Sequence, residues 1–213
     1  MHAPRGVCAL VPIKRREQCK LRLASQLAPQ ARLGLVRSML AAVLAAARAA
    51  HTVCEVVVIS PERDDVPAGI PVMQDGGASL NEALVQAFAT LGGRGRRGFV
   101  ILPADLPRIT AGEIDALVRS GQRGGFAIAP DTVGGGTNAL YLAAASSSAG
   151  AFRFQFGPDS CRLHLQEARR LRLPPRVVRL PGLAFDVDTP ADLNRLNLDA
   201  ASEPQPWPAP LRA

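Results

Sequence analysis

The amino-acid sequence predicts an α/β protein whose mostly parallel sheet is covered by helices on both faces. Two observations predict it. Short runs rich in Val, Ile and Leu, such as VCALVPI and CEVVVIS, place apolar residues at consecutive positions, as strands buried on both faces require. These runs alternate with longer segments whose apolar residues recur at helical spacing. At 213 residues and 47% apolar content the chain can bury one sizeable core, and no composition break divides it. Residues 1–200 are expected to form a single domain.

The elements follow in order. VCALVPI (7–13) reads as a buried strand and leads into a basic loop, KRREQCKLRLA. From about Pro29 to Ala50, Leu33, Val36, Leu40, Val43 and Leu44 recur among alanines as one face of a long helix. CEVVVIS (54–60) is a second strand, and a Pro-rich acidic connection leads to a short strand near Ile70 to Met73. DGGASLNEALVQAFATL opens on glycines and continues as a helix, with Ser79 and Glu82 spaced as a capping box. GFVILPADLP (98–107) is a strand running out at Asp105, and Thr110 with Glu113 repeats the capping pattern. FAIAPD (126–131) is a further strand, and GGGTNALYLA is a glycine turn feeding another. Phe152, Phe154 and Phe156 alternate ahead of a helix starting at Pro158. RVVRLPG and AFDVD are read as late strand pieces. A closing helix runs from Pro190 to about Leu198, and the tail SEPQPWPAPLRA, with four prolines, is expected to be disordered.

Composition narrows the function classes. The formal charge is +7, yet only 4% of the chain is aromatic, so the stacking platforms of a nucleic-acid reader are not evident. Of 25 basic residues, 23 are Arg; Lys occurs only at positions 14 and 20, both in the first loop. A lysine is a compact point charge that suits a phosphate oxygen. Cys8, Cys19, Cys54 and Cys161 form no CxxC pair, and His2, His51 and His164 are scattered, so these groups are read as packing residues. No uninterrupted apolar run approaches the roughly 20 residues that span a bilayer. The short run VCALVPI precedes its charges, the reverse of a signal peptide. A cytoplasmic protein without a membrane partner is expected, with a homodimer as the default assembly.

In FDVD, Asp186 and Asp188 are two apart, so both point to one side if the segment is extended. Asp105 adds a third carboxylate. Three oxygen donors without a nearby His suit a hard cation such as Mg2+, which shares its ligands with substrate phosphates; the alternative is an assortment of caps and turn formers, Thr189 and Asp192 among them. The GGG turn (134–136) exposes backbone N–H groups beside Thr137, and Gly157 and Ser160 open a helix whose first N–H groups suit an anion. In open α/β sheets, ligands bind beyond the carboxyl ends of the strands. These groups together describe phosphoryl or nucleotidyl chemistry.

The ordered set VPIKRREQCKLRL, LPADLP, GGGTNAL, FGPDS and GLAFDVDTPADL resembles the 2-phospholactate guanylyltransferase family, with its phosphoenolpyruvate and 3-phosphoglycerate guanylyltransferases of coenzyme F-420 biosynthesis. The likeness covers roughly residues 7 to 198. It implies a Rossmann-like, glycosyltransferase-A-like nucleotidyltransferase fold that transfers GMP from GTP to a small phospho-acid and releases pyrophosphate. It further implies Asp105, Asp186 and Asp188 as Mg2+ ligands, and Thr137, Gly157 and Ser160 as the seat of the phospho-acid. Lys14, Lys20 and Arg22 would meet the GTP phosphates, and Gly76, Gly77 and Asn81 would lie against the nucleoside. Two other readings stand beside it: a molybdopterin or sugar nucleotidyltransferase, whose usual LAGG-type loop VPIKRRE does not match, and a nucleotide-binding module without catalysis.

Overall fold

The computed structural model describes residues 6–13, 20–64, 66–75, 79–92, 97–144 and 151–202, with side chains of the last helix described to Asn197. Seven strands form one sheet: β1 (Val7–Pro12), β2 (Val53–Ser60), β3 (Val72–Gln74), β4 (Gly98–Ile101), β5 (Phe126–Pro130), β6 (Thr137–Ala143) and β7 (Arg176–Val177). Helices α1 (Pro29–Ala49), α2 (Leu80–Leu91), α3 (Ala111–Gln122), α4 (Ser160–Arg170), α5 (Pro181–Ala184) and α6 (Pro190–Ser202) complete it, with a 3-10 turn at Leu21–Leu23. The Pro-rich tail lies outside the described residues.

The sheet order is β3-β2-β1-β4-β6-β5-β7. All pairings are parallel except those of β6, which runs antiparallel to both β4 and β5. This reversal matters for the site. It brings the first residues of β6, Thr137 and Asn138, to the edge where β1, β4 and β5 end. The expectation that the site's polar groups lie past the carboxyl ends of strands is therefore corrected for Thr137, which arrives at the amino end of an inverted strand.

Alternation along each strand sorts the core into two layers. Val7, Ala9 and Val11 of β1 pack with Val56, Val58, Val100 and Tyr141 beneath α1 and α3. Cys8, Leu10, Val57, Ile59, Phe99, Ile101, Phe126 and Leu140 face α2, Phe152, Phe154 and α4. Both faces are thus covered, as the continuous apolar runs demanded. Both expected capping boxes form: Ser79 with Glu82 opens α2, and Thr110 with Glu113 opens α3.

Helix α1, at 21 residues, is by length and composition alone long and apolar enough to cross a bilayer, though it holds no uninterrupted apolar run of that length. Arg32 and Arg37 interrupt it, and the stripe Leu40, Val43, Leu44 and Ala47 is buried in the sheet's core.

One other expectation changes. The AFDVD segment joins no sheet ladder; Leu183 and Ala184 end α5, and residues 185–188 run on without strand pairing. Phe185 and Val187 enter a third apolar cluster with Leu23, Met39, Leu193 and Leu196, anchoring the segment between α1 and α6. The 152–156 segment alternates as expected but is tied down by side chains instead of a neighbouring strand. Glu167 Oε1 accepts from Arg153 N at 2.9 Å, His164 Nε2 from Gln155 N at 2.9 Å, and Asn81 Oδ1 from Phe156 N at 2.8 Å.

Candidate active site

The period of two in FDVD answers to a two-sided environment. Phe185 and Val187 are 5% and 0% exposed in the third cluster, so Asp186 and Asp188 project together to the opposite side. Val187 N donates to Asp105 O at 3.3 Å, which fastens the end of the β4 segment beside them. Asp192 then accepts from Thr189 N and Thr189 Oγ1 at 2.8 and 2.6 Å, so the cap at the start of α6 forms without using either strand-like carboxylate. One oxygen from each of Asp105, Asp186 and Asp188 lies within 4.8 Å of the others.

Negative charges that close need a cation. Lys20 supplies one: its Nζ lies 2.7 Å from Asp105 Oδ2 and 2.6 Å from Asp188 Oδ1, with the lysine side chain 10% exposed. Burial opposes the ammonium's charge, yet the two carboxylates outweigh it and its pKa is raised. Lys20 reaches them from a left-handed backbone, φ 51°, at the head of the 3-10 turn. Asp186 lies outside this pairing and accepts from Asn138 Nδ2 at 3.1 Å, a donor shared with Ala184 O. Burial is the main cause of its raised pKa, and the charges of Asp105 and Asp188 add to it. Three carboxylate oxygens gathered this closely, two of them already holding an ammonium, offer the all-oxygen donor set that a hard divalent cation takes.

The cluster opens on a cavity of about 650 Å3, a size usual for ligand sites. Lys20, Arg22, Asp105, Thr137, Asn138, Gly157, Ser160, Asp186 and Asp188 all line it. Thr137 and Ser160 line the cavity from positions only 6% and 2% exposed. Gly157 has φ 139°, a conformation that favours glycine, and stands exposed at the cavity's edge.

Three readings from the sequence are corrected. Two amides of the glycine turn, Gly134 N and Gly136 N, both donate to the Asp131 carboxylate, so they are not open to an anion. At the start of α4, Ser160 N donates to Gly157 O and Cys161 N to Gly135 O, so these two amides are engaged within the fold. Asn81 spends its amide on Phe156, accepting from N and donating to O at 2.8 and 3.2 Å, and so braces the segment before Gly157 instead of presenting both ends to a nucleoside. Lys14, Gly76 and Gly77 lie outside the described residues.

Sequence reasoning missed two site residues. Asn138 follows Thr137 in the motif GGGTN, and only the inverted β6 brings it to Asp186. His164, with Nδ1 3.0 Å from Thr137 Oγ1, is wholly buried and had no recognisable spacing signal.

Comparison with known proteins agrees with this geometry. Over residues 7–203 the chain matches the family described as guanylyl transferase CofC like. It is 42% identical over 192 residues to the phosphoenolpyruvate guanylyltransferase of Sphaerobacter thermophilus, covering 88% of this chain and 91% of that one. It is 37% identical to the enzyme of the same name from Rubrobacter xylanophilus, covering 94% and 98%. Among solved structures, a nucleotide-diphospho-sugar transferase from Desulfovibrio desulfuricans G20 superposes with a TM-score of 0.76 at 20% identity, covering 94% of this chain and 90% of that one. Rv0371c from Mycobacterium tuberculosis, crystallised with manganese, gives 0.54 at 18% identity, covering 90% and 97%. These two likenesses show a shared nucleotidyltransferase-like fold. The carboxylate cluster, the seven-stranded sheet with its inverted β6 and the family match over nearly the whole chain converge: the chain belongs to the CofC-like guanylyltransferase family and is a nucleotidyltransferase.

Proposed function

We propose that the protein transfers GMP from GTP to phosphoenolpyruvate, with release of pyrophosphate, as a step of coenzyme F-420 biosynthesis. Residues 1–200 act as one catalytic domain. One observation carries the reading: three carboxylates from two distant segments meet at a cavity that Thr137, Gly157 and Ser160 also line. The names of the relatives favour phosphoenolpyruvate among acceptors that also include 2-phospholactate and 3-phosphoglycerate.

The chemistry asks the chain for positioning and charge neutralisation. A phosphate monoester is already an anion, so its oxygen attacks the α-phosphorus of GTP with little need of a base, and the bond from that phosphorus to the bridging oxygen of pyrophosphate breaks. Thr137, Ser160 and the Gly157 backbone hold the acceptor. Mg2+ bound by Asp105, Asp186 and Asp188 would neutralise the phosphate oxygens at the point of attack. Lys20 and Arg22, and Lys14 from the same loop, draw off charge on the triphosphate. The thiols of Cys54 and Cys161 suit a reducing cytoplasm.

Purified protein incubated with GTP, Mg2+ and each of the three acceptors should release pyrophosphate with phosphoenolpyruvate most rapidly. Silence with all three overturns the reading. Asp188→Asn should lower turnover by at least about a hundredfold, since even groups that only hydrogen-bond to a metal's ligands cost on the order of ten- to a hundredfold when removed. Its circular dichroism should be unchanged.

A further inference from the structure

We infer that His164 is a positioning residue for the acceptor seat, holding the Thr137 hydroxyl so that its own proton is offered into the cavity to an anionic oxygen. The inference rests on the acceptor role given to Thr137 above and adds the group that sets its polarity.

The chain of donors runs one way. Gln155 N–H donates to His164 Nε2 at 2.9 Å, and a backbone amide cannot reverse that role. An imidazole nitrogen that accepts carries no proton, so the single proton of the neutral ring sits on Nδ1. Nδ1–H therefore donates to Thr137 Oγ1 across 3.0 Å. A hydroxyl that receives a hydrogen bond keeps its own proton for another partner. Among the described residues, His164 is the polar partner of this hydroxyl, and Thr137 lines the cavity.

The surroundings hold the ring in that state. His164 is 0% exposed, with Phe156 edge-on at 4.7 Å and Phe152 stacked at 5.9 Å between ring centroids. Burial pushes its pKa down to about 4, against the opposing influence of Glu167. Glu167 is itself engaged by Arg170 and by Arg153 N. The seat made this way favours a phosphate or carboxylate oxygen and disfavours a ligand group that can only donate.

Two measurements test it. In the full chain labelled with 15N-histidine, a two-bond proton–nitrogen correlation spectrum at neutral pH should show His164 as the Nδ1–H tautomer, assigned by elimination with His2→Gln and His51→Gln. An Nε2–H or doubly protonated ring overturns the inference, and this readout needs no turnover. In kinetics, His164→Gln should raise the KM for phosphoenolpyruvate about tenfold with the KM for GTP little changed, the size expected when one hydrogen bond is misdirected. In a Thr137→Val background the same substitution should add no more than about twofold, because the two act as a unit, whereas Thr137→Ser should retain the tenfold response. Equal losses in both backgrounds make His164 merely structural and overturn the inference. A wild-type protein inactive with every acceptor instead overturns the enzymatic reading, while the tautomer spectrum still reports on the hydrogen-bond relay.

Discussion

Lys20 Nζ lies 2.6 Å from Asp188 Oδ1, although the two residues are 168 positions apart in the chain. The same ammonium reaches Asp105 at 2.7 Å. A single side chain thus screens two of the three clustered carboxylates, in the place where a divalent cation would be held.

Removing that screen should destabilise the metal-free protein. Lys20→Met leaves Asp105 and Asp188 to repel each other and Asp186, which should lower unfolding free energy by roughly 1–3 kcal/mol, discounted from a fully buried pair because Asp188 is 46% exposed. Millimolar Mg2+ should restore most of the loss by binding the folded state. Urea titrations with and without the metal check this, and a variant indifferent to Mg2+ speaks against a cation site.

The raised pKa of Asp186 gives a second prediction. A carboxyl that holds its proton above the ordinary range competes with metal, so Mn2+ affinity should weaken as pH falls, beginning above the usual carboxylate range. The stability effect has the opposite sign. The folded protein binds this proton more tightly than the unfolded chain, so the contribution is present at low pH and lost as pH rises through the folded pKa. Asp186→Asn should consequently stabilise the metal-free protein at neutral pH and have little effect in acid. Calorimetric titration and thermal melts across pH decide both points.

His164 behaves the other way. Its pKa of about 4 lies below the ordinary value of 6.5, so the unfolded chain binds the proton first. Stability should be intact above about 6.5 and fall as pH drops from there toward 4, by up to about 3 kcal/mol. His164→Gln should flatten that part of the profile. A flat profile in the wild type would show that the ring titrates normally.

Asn81 should matter through the segment it braces. Asn81→Ala removes both of its bonds to Phe156 and frees the stretch that carries Gly157, at a cost of about 1–2 kcal/mol. The KM for the phospho-acid should rise more than that for GTP. An increase confined to GTP would return Asn81 to a nucleoside role.

The sequence by itself determined the strands other than AFDVD, the long helices, the caps and the common facing of Asp186 and Asp188. Each depends on interactions within a few residues: consecutive apolar positions, helical spacing, a Ser or Thr answered by a Glu three positions on, and a strand period of two. Tertiary structure alone decided how distant groups meet. The inversion of β6 delivers Thr137 and Asn138 to the site edge, and nothing in NALYLA distinguishes a parallel from an antiparallel strand. The extended stretch 152–156 is held by Asn81, His164 and Glu167, side chains from two helices, so its alternation alone could not separate it from a sheet strand. The placement of Lys20 among carboxylates from the ends of β4 and the start of α6 likewise has no local cause, because an ion pair is set by where the folded backbone brings its charges and leaves no trace in sequence spacing.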